Sequence, residues 1–188
     1  MTDEHFRSQS RPGTPDEAVS SAGDVERQAL LAALNAQRAH VLSILDGLDD
    51  EALRRPVLPS GWSCLGLVHH LAADVEQFWF RAVVDGEQQI IDQLAQSPDN
   101  AWDVPTDLPS QAVFDLYRRR IDAANDVIAR TAVDAAPMWW PEELFGTWRM
   151  NSLRKVMLHV ITETACHAGQ LDAVRELIDG RQWLILTP

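Results

Sequence analysis

The stretch that decides the fold is residues 153–178, LRKVMLHVITETACHAGQLDAVRELI. On a wheel turning about 100° per residue, Leu153, Val156, Val160, Thr164, Leu171, Val174 and Ile178 gather on one arc. That spacing predicts a long amphipathic helix from Asn151 to Asp179, with Gly180 as its C-terminal stop. His167 falls inside the apolar arc, Glu163 sits at its edge one turn earlier, and His159 lies one turn before that. The helix therefore aims a carboxylate and an imidazole, four residues apart, toward the protein interior.

Working outward, three further helices are expected. Leu30, Leu31, Leu34, Val41, Leu42 and Leu45 define one from about Asp24, a plausible N-cap, to Leu48. Gly47 and the acidic run Asp49–Asp50–Glu51 mark its exit. After Pro56, Pro59 and Gly61, Ser63 caps a second helix that carries Leu65, Val68, Leu71, Ala72, Val75, Phe78 and Trp79 inward. It ends near Asp85–Gly86. A long connection through Pro98 and Pro105 follows, with a short helical piece at 88–94. A third helix opens between Asp107 and Ser110, with proline in its first turn and Val113, Leu116, Ile121, Ala124, Val127 and Ile128 as its stripe. A second long loop, residues 134–150, holds Trp139, Trp140 and Trp148. Four amphipathic helices and no strand pattern give an all-α four-helix bundle over residues 24–188. Residues 1–23 are polar, without apolar periodicity, and are expected to form a disordered tail.

Composition narrows the function classes. With 46% apolar and 23% charged residues in 188, the chain is globular and large enough to bury a core. Its net charge of -12 disfavours nucleic acid and anionic membrane surfaces, since both need clustered cations. Arg118–Arg119–Arg120 lies within a helical pattern and reads as a solvated face. Two cysteines, Cys64 and Cys166, are too few for a disulfide scaffold. No apolar run reaches the ~20 residues of a membrane span, and the N-terminus has no apolar h-region. A cytoplasmic location is expected.

A carboxylate taken into an apolar interior must be compensated. A divalent cation shared with a nearby imidazole does this, and an i, i+4 pair can grip one ion. A hydrogen bond between Glu163 and His167, or to an arginine, is the structural alternative. The second helix offers His69 and His70, and periodicity does not choose between them. Three ligands from two helices would leave open coordination positions, the catalytic arrangement. Asp74, one turn after His70, could orient that imidazole through its other ring nitrogen. His159 could be an extra ligand, a hydrogen-bond donor to the site, or a satisfied histidine at the core edge. Trp139, Trp140 and Trp148 could wall a pocket over the metal or simply pack their loop.

The segments GWSCLGLVHHLAADVEQFWFR (61–81) and LHVITETACHAGQLDAVRELIDG (158–180) resemble the DinB/YfiT-like superfamily of metalloenzymes, closest to its actinobacterial mini-circle branch. The resemblance spans most of residues 24–180. It implies an up-down-down-up bundle and a metal site of His70, Glu163 and His167. Glutamate at 163 is similar to the mycothiol-dependent maleylpyruvate isomerase branch, whose zinc is held by two histidines and a glutamate. That branch usually carries an extra C-terminal domain, for which this sequence has no length. Zinc is expected ahead of nickel, with a low-molecular-weight thiol as cosubstrate and a small molecule as substrate. Dimers are common in the superfamily, and the Trp-rich loop and the apolar RQWLILTP (181–188) would suit a homodimer.

The leading expectation is thus a metal-dependent thiol S-transferase or isomerase. A metal hydrolase using bound hydroxide, and a non-catalytic stress or binding protein, are the competing classes.

Overall fold

The computed structural model describes residues 15–96 and 100–183, with side chains from Ala22 onward. The described residues are all-α. Helix α1 (Pro15–Ile44) begins well before the expected Asp24. Proline is favoured in a first helical turn, where its missing N–H is no loss. Asp24, read as a cap, instead lies mid-helix and pairs with Arg27 at 2.7 Å. Residues 15–23 are therefore helical rather than tail. Residues 1–14 and the apolar end from 184 lie outside the described residues.

The acidic run that reads as an exit starts a new element. Asp49 accepts from the Ala52 N–H at 2.8 Å and caps the short α2 (Asp50–Arg54). Helix α3 (Cys64–His70) is capped by Ser63, as its sequence predicts. It runs without interruption into a wider π-type stretch, Leu71–Val84, which closes with the Asp85 N–H donating five residues back to Phe80. Nothing in the apolar periodicity distinguishes that winding from an ordinary helix.

Beyond it come α4 (Gln88–Gln96), α5 (Ser110–Arg130), α6 (Glu142–Phe145) and α7 (Leu153–Asp179). Pro109 stands just before the first turn of α5 rather than in it. Helix α6 sits in what reads as loop. Ser152 caps α7 at its start, and Gly180 ends it at φ +79°, a left-handed turn that favours glycine.

Helix α1 packs along α7, and α5 packs along the π stretch, which also contacts α7. Leu34 and Val41 of α1, Val75 and Phe80 of the π stretch, Tyr117 of α5 and Leu171 of α7 are fully or almost fully buried. Each such side chain contributes roughly 1.5–3 kcal/mol of hydrophobic stabilisation. One charged pair lies inside this core: Arg38 donates through Nε and Nη2 to both oxygens of Glu76, at 2.6 and 2.5 Å. Burial pushes the Glu76 carboxyl up, while the charge and hydrogen bonds of Arg38 pull the other way. Among the described residues, no helix is long and apolar enough to cross a membrane.

Candidate metal centre

Helix α7 places His159, Glu163 and His167 at successive turns on one partly buried face. The opposing residue comes from the junction of α3 with the π stretch, and here the two adjacent histidines part company. His69 Nδ1 bonds the Ala101 carbonyl at 2.7 Å, whereas His70 faces α7. A glycine makes this possible. A Cβ at Gly66 would stand 2.4 Å from the Trp102 carbonyl oxygen, so only glycine lets residues 101–102 lie against α3. The same loop stacks the Trp102 indole on the His70 ring, with centroids 4.3 Å apart and planes 16° apart.

Donor atoms of His70, Glu163 and His167 all lie within 4.8 Å of one another. His70 Nδ1 is bonded to Asp74 Oδ2 at 2.9 Å, and its Nε2 stands 3.8 Å from Glu163 Oε1. His167 Nδ1 is bonded to Gln170 Oε1 at 2.9 Å. The other oxygen of Glu163 is 3.1 Å from His159 Nε2. Burial by itself would lower the pKa of His70, but the Asp74 and Glu163 carboxylates outweigh it and raise it to about 9. Burial would raise Glu163, but His159 and His70 hold it down to about 2. His167 is lowered, by burial first and then by the charge of His70.

The donor set suits a divalent cation. Both imidazoles spend Nδ1 on an acceptor, so each keeps Nε2 for coordination, and an ionised carboxylate completes three ligands. Without a cation, a proton on His70 supplies one positive charge between the Asp74 and Glu163 carboxylates. Beside the three residues opens a cleft of about 720 Å³. Its lining is largely apolar: Phe78, Trp79, Leu94, Leu144, Phe145 and Trp148.

Comparison with known proteins places the chain in a family. The family model described as MST, mycothiol S-transferase, matches residues 29–180. The chain belongs to the mycothiol S-transferase family. The DinB-like, mycothiol-related resemblance of its helices is thereby established. No curated protein and no solved structure matches the chain.

In this mycothiol S-transferase family member the expected site residues fall into two groups. Asp74, His159 and Trp148 line the cleft with the three donor residues. Trp139 and Trp140 do not; they wall an adjoining cavity with Ile91, Ala95 and Glu143. The Trp139 backbone N–H donates to the Val83 carbonyl at 3.2 Å, which ties this part of the loop to the end of the π stretch. Trp79 is 5% exposed yet touches the site, its ring centroid 4.7 Å from that of His159. Two participants escaped the sequence reading. For Gln170 a signal existed, since it follows His167 by three residues on one helix face. Trp102 lies in a loop, where no periodicity signals a contact.

Proposed function

We propose that this protein is a divalent-metal-dependent S-transferase that uses a low-molecular-weight thiol of the mycothiol type. His70, Glu163 and His167 hold the metal, zinc ahead of nickel. The observation that carries this reading is the pair of Nδ1 hydrogen bonds, His70 to Asp74 and His167 to Gln170, which leave both Nε2 atoms available beside one carboxylate. The cation, when bound, lowers the pKa of a coordinated thiol, so that thiolate exists at neutral pH.

The chain's own residues do the rest. Asp74 and Gln170 fix the imidazole orientations. His159, its Nε2 3.1 Å from the second oxygen of Glu163, keeps that carboxylate turned toward His70. Trp102 covers the His70 ring on the loop side. The apolar lining of the cleft offers the electrophile a surface to pack on. As part of the same reading, α1, α3 with its π stretch, α5 and α7 form one four-helix bundle in up-down-down-up order. That order brings His70 against α7 across the core.

Thiol-dependent turnover tests the reading. Conjugation of mycothiol to an electrophile should require bound metal and stop on chelation while far-ultraviolet dichroism is unchanged. Turnover by water alone, without thiol, would favour a hydrolase. Loss of helicity on chelation would favour a metal kept only for stability.

A further inference from the structure

We propose that the cavity adjoining the metal cleft is a second binding site, one that takes a small molecule with a trimethylammonium head. The proposal is independent of the S-transferase reading. Aromatic faces and a carboxylate carry it.

The cavity encloses about 490 Å³ and shares Phe78, Leu94 and Leu144 with the cleft. Its other aromatic residues are Trp139 and Trp140. The rings of Phe78 and Trp139 meet almost at right angles, with 79° between planes and 6.3 Å between centroids. Both are only partly buried, so ring surface is left to the cavity. Two rings so arranged make a corner, and an alkylated cation lodged in it touches both at once.

The protein already uses this chemistry on itself. The Arg149 guanidinium stands 5.5 Å from the centroid of the Trp140 ring and pairs with Glu142. One side of the cavity thus holds a cation between an indole and a carboxylate. The other side has the same parts without the cation. Glu143 lines the cavity, and among the described residues it has no ion-pair partner. No lysine or arginine belongs to the lining.

The same features select the kind of cation. A primary ammonium would bring three N–H donors to a wall of rings and leucines, where most would go unpaired. N-methyl groups carry no donor, pack on ring faces and spread the charge over their surface. An anion would face Glu143 without a counter-ion. None of His70, Glu163 and His167 lines this cavity, so a metal there offers it no coordination position.

Binding tests the proposal without reference to turnover. Choline, its neutral isostere 3,3-dimethylbutan-1-ol, and ethanolamine are titrated calorimetrically into the full chain with zinc present. Choline should bind about tenfold or more tightly than either comparison compound. Trp139→Ala should weaken choline about tenfold. Glu143→Gln, at an exposed position, should weaken it about two- to fivefold and reduce its dependence on salt. Asp74→Asn removes a carboxylate from the metal cleft and should leave choline binding unchanged. Absence of choline binding, a match by either comparison compound, or indifference to Trp139→Ala or Glu143→Gln overturns the proposal. Weakening in Asp74→Asn would put the cation in the metal cleft and overturn it as well.

Discussion

His70 and Asp74, one helical turn apart, are joined through Nδ1 and Oδ2 at 2.9 Å. The bond fixes which nitrogen of His70 remains for a ligand and holds the ring against Trp102. Asp74→Ala removes the acceptor and leaves the ring free to turn. Metal affinity should fall about 10- to 100-fold while the fold persists. Competition against a chromophoric chelator measures it, and unchanged affinity would show that Asp74 is only a solvated aspartate.

The same residue sets a pH dependence with a definite sign. In the metal-free protein the pKa of His70 is raised from 6.5 to about 9, so its contribution to stability is complete below 6.5 and is lost as pH climbs through 9. Glu163 is lowered from 4.5 to about 2, so its contribution is present above 4.5 and lost as pH falls through 2. A metal ion takes the place of the His70 proton. Its affinity should therefore rise with pH toward 9, with about one proton released per ion near neutrality. Calorimetry in two buffers of different ionisation enthalpy counts that proton.

Gly66 controls the loop that carries Trp102. In Gly66→Ala the new methyl meets a backbone carbonyl, which has no rotamer through which to retreat. The loop must lift, releasing Ala101 from His69 and Trp102 from His70. We expect about 1–3 kcal/mol of destabilisation together with weaker metal binding. Trp102→Ala should weaken metal binding without the backbone strain. Denaturant unfolding beside metal titration of both variants separates the two effects.

The buried pair of Arg38 and Glu76 should show asymmetric costs. Arg38→Met or Glu76→Leu alone leaves one charge stranded in the core and should cost about 3–5 kcal/mol. The double substitution should cost far less than the sum. A double-mutant cycle by chemical unfolding gives the coupling directly.

The long helices were legible because they bury apolar stripes: the arc of α7, the Ser63 cap and the Gly180 stop all stand where the sequence puts them. Glu163 and His167 were legible for the same reason, since polar residues on an apolar face demand a partner. What escaped has no such pattern. Polar helix before Asp24 has no stripe, and an aspartate that ends one element caps the next. The π winding changes hydrogen bonding without changing composition. Periodicity did not separate His70 from His69, though the family resemblance did, and Trp102 reaches the site only through the loop whose Ala101 carbonyl bonds His69. Contacts distant in sequence decide these cases, and periodicity is silent on them.

In the proposed site, two imidazoles and one carboxylate from α3 and α7 share a cation. Elemental analysis of the purified chain beside Glu163→Ala and His69→Ala tests it most directly. About one divalent metal per chain is expected in the parent and in His69→Ala, and loss of that metal in Glu163→Ala. Equal trace metal in all three proteins, or retention of a full equivalent in Glu163→Ala, would contradict it.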